Sequence, residues 1–401
     1  MKPLAGNIRF KSQLFDFQLI RSLHHSGYGG PDFGECFAIC SDVEDGDWES
    51  WNAAWYAVAE RTRTKAEQFL TDGNRPSARR MFLRAFECYR QAGYALLANL
   101  RDPRLIPTTD RMQQCFRQSG ELMDGRMQVL KFPYENTTLP GYFVRPDTSG
   151  RPRPTIIINC GYTVFCEESF LTGGLGALDR GWNVLVYDGP GQGSALVRQG
   201  LFFRHDWEKV ITPIVDHALT LPGVDPKGLV VFGRSFNSIL SARAVAFEPR
   251  IRAFMADPGE CNKFRSVIHN FPRDAMTAFD KGDEAPLSRH LEGLMQQPDF
   301  SFSSRCRMQT HGTSNVLDYV KSLRPYEIES VLGQIKCPTA ISCADHDDRG
   351  IEQPREMFEK LRCPKVYFPF TMEQGAGEHC QLGAPELTYQ TFYDWLEGVL
   401  K

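Results

Sequence analysis

The chain has 401 residues, 42% hydrophobic and 24% charged, enough to bury the core of two domains or of one large domain with insertions. Its 46 basic and 49 acidic residues leave a formal net charge of −3, which gives no electrostatic basis for nucleic acid or an anionic membrane as the main partner. The opening MKPLAGNIRFKSQLFDFQLIRSL mixes charges and amides into its apolar positions, and runs such as TIIINC are far too short to cross a bilayer. A cytoplasmic protein without signal peptide or membrane span is therefore expected. The 12 cysteines are scattered, with no paired CxxC motifs and no Cys/His cluster of zinc spacing. Reduced thiols, several of them in the core, are expected, and no bound metal.

Residues 1–125 read as a helical N-terminal, cap-like domain. From Asp47 to Leu70, Trp48, Trp51, Trp55, Val58 and Ala59 recur at three- and four-residue steps and give one apolar face. A second helix opens at Pro76 and Ser77, carries Met81, Phe82, Phe86, Tyr89 and Ala92 on one side, and runs to Leu100. Pro103 and Pro107 end it, and TTDRMQQCFRQSGELM begins a third helix at a Thr/Asp cap.

Residues 126–401 change to short apolar runs separated by helical stretches. The runs are MQVLKFPY, LPGYFVRP, PTIIINC, NVLVYDG, GLVVFG, IRAFMAD, PTAISCAD and KVYFPF. Most are continuously apolar, as in strands covered on both faces, so a doubly wound, mostly parallel α/β sheet is expected. The polar and helical stretch at about 258–336 reads as an insertion near the C-terminal edge of that sheet.

Ligands bind beyond the C-terminal ends of strands in an open α/β sheet. Three such places hold reactive residues. In LVVFGRSFNSIL, Ser235 follows a strand and precedes a helix, with Gly233 two residues before it. That is the setting of a nucleophile elbow, G-x-S-x-G, although Asn237 occupies the last position. Asn tolerates unusual backbone conformations better than most residues, which is one way to accommodate the departure. In FTMEQGAGEHCQLGAPEL, His379 lies in a Gly-rich loop after the last strand, where a doubly wound hydrolase keeps its base. In CPTAISCADHDDRGI, the strand ends in Asp345, Asp347 and Asp348. Aligning it with a G-x-x-D strand end, Ala344 in the glycine's place, favours Asp347 as the carboxylate that orients the imidazole, with Asp345 and Asp348 as alternatives. The order Ser, Asp, His is that of α/β-hydrolases.

An oxyanion hole is expected from the backbone N–H of Phe236 and an N–H of the loop NCGYTVFCEES, with Gly161 and Tyr162 as candidates and Tyr162 following the glycine. YDGPGQGSAL has neither P-loop lysine nor G-x-G-x-x-G spacing, so it reads as a tight turn and not as a nucleotide site.

The strings Asp188-Gly189-Pro190-Gly191-Gln192-Gly193, Asn159-Cys160-Gly161-Tyr162 and Gly375-Ala376-Gly377-Glu378-His379-Cys380, behind a helical front half, carry a resemblance. The chain resembles the α/β-hydrolase branch that includes 2,6-dihydroxypseudooxynicotine hydrolase and the fungal polyketide-shortening hydrolases of the yellowish-green pigment type. The resemblance implies hydrolysis of a carbon–carbon bond in a β-dicarbonyl, polyketide-like small molecule in secondary metabolism, through an acyl-serine and without cofactor. An esterase or thioesterase, or an acyltransferase, uses the same triad. A catalytically dead binding protein is the reading from another class, with Asn237 its one supporting feature. The aromatic residues of the front half either line a pocket or form its core, and a homodimer is left open.

Overall fold

The computed structural model describes residues 5–347 and 352–401. Five helices of eight or more residues come first: α1 (Gln13–His25), α2 (Phe33–Ser41), α3 (Trp48–Thr71), α4 (Arg75–Tyr94) and α5 (Leu105–Glu121). α3 starts because Asp47 accepts the N–H groups of Glu49 and Ser50, two of the donors a helix start leaves unpaired. Trp51, Trp55, Phe82, Phe86 and Tyr89 are fully buried between α3, α4 and their neighbours. They form the core of the front half.

Two boundaries differ from the sequence expectation. α4 ends at Tyr94, and the chain turns through 95–100 before α5. α5 begins at Leu105, upstream of the Thr/Asp cap, and takes Pro107 into its first turn. A proline is tolerated there because first-turn N–H groups have no intrahelical partner.

Eight strands follow: β1 (Met127–Tyr134), β2 (Thr137–Val144), β3 (Arg153–Asn159), β4 (Asn183–Tyr187), β5 (Val224–Arg234), β6 (Ala253–Asp257), β7 (Thr339–Ala344) and β8 (Lys365–Phe370). They form one sheet in the order β1-β2-β4-β3-β5-β6-β7-β8. β1 and β2 join antiparallel, and every pairing from β4 through β8 is parallel. This is an α/β-hydrolase sheet behind a helical N-terminal region.

The apolar runs split by alternation between two cores. Ile156, Ile158, Val184, Val186, Val230 and Phe232 face the front helices and the C-terminal helix Pro385–Leu400. Ile157, Leu185, Leu229, Val231 and Phe254 face the opposite layer, with Ile211, Ile214 and Val215 of the helix Glu208–Ala218. Each such side chain contributes roughly 1.5–3 kcal/mol by leaving water, which is why a strand apolar at every position is stable only between two layers.

Between β6 and β7 lie five α-helices, Lys263–Ile268, Arg273–Asp280, Ala285–Leu294, Pro298–His311 and Val316–Ser322. They have a small core of their own around Phe279, Leu287, Leu291, Tyr319 and Leu323. Among the described residues no helix is long and apolar enough to cross a membrane.

Candidate active site

Ser235 sits between β5 and the helix Phe236–Phe247 with φ +54° and ψ −133°. That backbone region is costly for a residue with a Cβ and persists only when its surroundings enforce it. Here the Ser235 N–H donates to the Asp257 carbonyl at 2.7 Å. Gly233 allows the turn: a Cβ there would lie 2.8 Å from the Asn237 carbonyl oxygen and 2.8 Å from the Ser241 side chain.

Asn237 is not accommodated by an unusual backbone. It lies in the first turn of the elbow helix, outside the set of positive-φ residues. Its side chain is fully buried, and Oδ1 accepts the Ser241 hydroxyl one turn on. Its Nδ2 has no hydrogen-bond partner among the described residues.

His379 brings the strand ends together. Its Nε2 lies 2.9 Å from Ser235 Oγ, and its Nδ1 lies 2.6 Å from Asp347 Oδ2. A carboxylate only accepts, so Nδ1–H donates to Asp347 and the free lone pair on Nε2 accepts the Ser235 hydroxyl. Asp347 is 8% exposed, shielded enough for that bond to hold the ring. Asp345 does other work: its carboxylate accepts the Met372 N–H at 3.0 Å, while the N–H of His346 donates to Gly377. It thereby ties the end of β7 to the histidine loop. Asp348, the other alternative, lies outside the described residues.

The loop after β3 rests on the elbow. A Cβ on Gly161 would lie 2.7 Å from the Phe236 nitrogen and 3.0 Å from Ser235 Cβ, so only glycine permits this approach. Gln192, from the turn after β4, anchors the loop from behind. Its Oε1 accepts Asn159 Nδ2–H and the Gly189 N–H, each at 3.0 Å, and its Nε2 donates to the Cys160 carbonyl. The same Nε2 lies 3.4 Å from the Gly161 carbonyl, and a trans peptide aims the following Tyr162 N–H the opposite way. Beyond the loop, the Tyr162 hydroxyl and His311 Nε2 are 2.8 Å apart, with His311 at the end of Pro298–His311. Burial, with Lys263 and Arg307 near, pushes His311 down to about 3, so it is neutral at ordinary pH.

Sequence reasoning missed Gln192 and His311 as parts of this site. YDGPGQGSAL carried a signal, since a buried turn amide needs partners, but His311 lies in an insertion with no motif. One cluster of metal-ligand type occurs among the described residues, Cys166, Glu167 and Asp188, all buried. Its carboxylates are engaged inside the protein: Asp188 accepts the N–H groups of Cys166 and Ser194, and Glu167 accepts Tyr142 Oη–H and Gln113 Nε2–H. Burial and the neighbouring Glu167 push the Asp188 carboxyl well above the usual range.

No protein-family model matches the chain. It is 31% identical to the 20-hydroxy-prefusarin hydrolase of Gibberella moniliformis, over 97% of this chain and 97% of that protein. The chain belongs to the α/β-hydrolases. This hydrolase is also 33% identical to the hydrolyase ccsE of Aspergillus clavatus, over 96% of its own length and 95% of the relative's. Among solved structures, 2,6-dihydroxy-pseudo-oxynicotine hydrolase superposes on the hydrolase with a TM-score of 0.74 at 20% identity, covering 94% of this chain and 95% of that one. The branch named by the sequence motifs and the fold found by superposition agree. The relatives make the chain a hydrolase-type enzyme, and the superposition shows the shared fold.

Proposed function

We propose that the enzyme hydrolyses a carbon–carbon bond next to a carbonyl in a β-dicarbonyl, polyketide-like small molecule, through an acyl-serine intermediate. The observation that carries the reading is the continuous line from Asp347 through His379 to Ser235, with bonds of 2.6 and 2.9 Å and the serine held at φ +54°. Ser235 Oγ attacks the ketone carbon as its proton passes to His379 Nε2. The N–H groups of Phe236 and Tyr162 stabilise the alkoxide that forms. Collapse breaks the bond to the adjacent carbon, whose electron pair is delocalised into the second carbonyl as an enolate. His379 returns the proton to that carbon. It then takes a proton from water as the hydroxide attacks the acyl ester, releasing the acid and restoring Ser235.

Support for the carbon–carbon bond, over an ester, comes from the branch resemblance alone, and relatives such as the 20-hydroxy-prefusarin hydrolase support a hydrolase. The test is a fluorophosphonate probe on wild type and Ser235→Ala, read by intact mass, followed by a panel of β-diketones and aryl esters. Labelling that requires Ser235, with diketone cleavage outpacing ester cleavage and kcat falling on the order of 10⁴–10⁶ in Ser235→Ala, is the expected result. Turnover of esters alone makes it an esterase. No labelling removes the nucleophile.

A further inference from the structure

We infer that Arg234 and Asp257 are positioning residues that hold the serine turn and the histidine turn in register, an inference that rests on the nucleophile and base assigned above. Arg234 ends β5 and Asp257 ends β6, and the two are partners across the sheet. Both are buried, Arg234 at 5% exposure and Asp257 at 0%. Arg234 Nε donates to Asp257 Oδ2 at 2.8 Å, and its Nη2 donates to the Cys380 carbonyl at 2.7 Å. One guanidinium thus joins the residue before the nucleophile to the residue after the base.

Asp257 completes the node. Its carbonyl accepts the Ser235 N–H at 2.7 Å and lies 3.3 Å from Cys380 Sγ. Its Oδ1 accepts the hydroxyl of Ser342 at 2.7 Å, on β7, the strand that leads to Asp347. All three segments that carry the triad therefore converge on this ion pair.

The turns it joins are both strained. Cys380 and Gln381, directly after His379, have φ of +54° and +50°, and Ser235 has φ +54°. Residues with a Cβ stay in that region only when several contacts enforce it. Arg234 supplies one such contact at the histidine turn, and the Asp257 carbonyl supplies one at the serine turn. A guanidinium has the fork to reach two acceptors at once, whereas an ammonium is a single point of charge on a flexible stem. A buried charge left without its partner is strongly unfavourable, so the variants are chosen to avoid stranding one.

The experiment follows the rate at which a fluorophosphonate labels Ser235 in the full-length protein, beside the thermal midpoint and the kcat and KM for an aryl ester. Arg234→Lys keeps the charge against Asp257 but loses the second tether. Its labelling rate and kcat are expected to fall together by about 10- to 100-fold, with KM within about threefold of wild type. Should Arg234→Lys fail to fold, Arg234→Met combined with Asp257→Asn removes the tether and strands no charge, and the same fall is expected. Labelling at the wild-type rate in a folded variant of either kind overturns the inference and leaves the nucleophile standing. A loss confined to the thermal midpoint overturns it also, since a structural brace alone does not slow acylation. A wild type that resists the probe overturns the nucleophile reading and this inference together.

Discussion

The phenol ring of Tyr162 lies flat on the ring of Phe236, with centroids 4.5 Å apart and planes 3° from parallel. These are the two residues whose backbone N–H groups are proposed for the oxyanion hole, so a side-chain stack sets the spacing of the two proposed donors. Lys263 Nζ lies 5.9 Å from the first ring and 5.5 Å from the second, adding a cation to the same stack.

Gly161→Ala tests that spacing directly. The added methyl meets the Phe236 nitrogen and pushes the loop off the elbow. Losing one oxyanion donor costs on the order of 10²–10³ in kcat, and that is the expected fall, with folding retained by circular dichroism. Wild-type turnover in this variant would place the second donor elsewhere.

Asp347→Asn is expected to reduce kcat by on the order of 10⁴, because an amide can present its NH₂ to Nδ1 and stabilise the wrong tautomer. Asp345→Asn loses a charge-assisted bond to the Met372 N–H and is expected to cost about 1–2 kcal/mol of stability, with kcat changed far less. Parallel measurement of turnover and urea midpoints separates them. A silent Asp347→Asn beside a crippled Asp345→Asn would reverse the two roles.

Asn237 sits in an ordinary helical turn with its side chain bonded to Ser241, so it has no need to impair the serine. Restoring the usual residue with Asn237→Gly is expected to leave kcat within about threefold of wild type. A rise of tenfold or more would mean that the asparagine has attenuated an ancestral activity, and would favour a binding role for the natural chain.

The pH dependence of stability should report His311. Its value in the folded protein, about 3, lies below the roughly 6.5 of an unfolded histidine. Between those values the unfolded chain binds a proton that the folded chain does not. Stability is therefore full above about pH 6.5 and declines as pH falls toward 3. Burial drives His24 in the same direction. Urea unfolding at pH 7 and pH 5 is expected to show a loss that His311→Gln reduces by on the order of 1–2 kcal/mol. An unchanged difference between the two pH values would mean that His311 is protonated in the fold.

The eight strands are readable in sequence because burial on two faces leaves few polar positions inside each run, as in PTIIINC and LVVFGR. The order of Ser235, Asp347 and His379 is readable too, since each follows an apolar run and the sheet topology gathers strand ends. The start of α5 was hidden because Pro107 reads as a breaker unless its place within the first turn is known. Through-space partnerships were hidden for a different reason. Arg234 and Asp257 meet only once β5 and β6 pair in register, and Tyr162 meets His311, 149 positions further along the chain, only once the insertion has folded. A charged residue closing each of two apolar runs, Arg after LVVFG and Asp after AFMA, was the one local hint.

The helix Pro298–His311 is held at both ends by different parts of the molecule. Phe302 stacks on Trp48 of α3 at 4.0 Å, and Asp299 accepts the Ser12 hydroxyl and the Leu14 N–H, while His311 reaches Tyr162, whose ring stacks on Phe236 next to Ser235. The position of this helix is thus shared between the insertion that carries it and the helices α1 and α3, which lie more than 200 residues before it in the sequence. Neither can be exchanged between homologues alone. A chimaera that imports a new insertion to alter substrate range must import the matching surface of α1 and α3 with it, or the oxyanion loop loses its outer support.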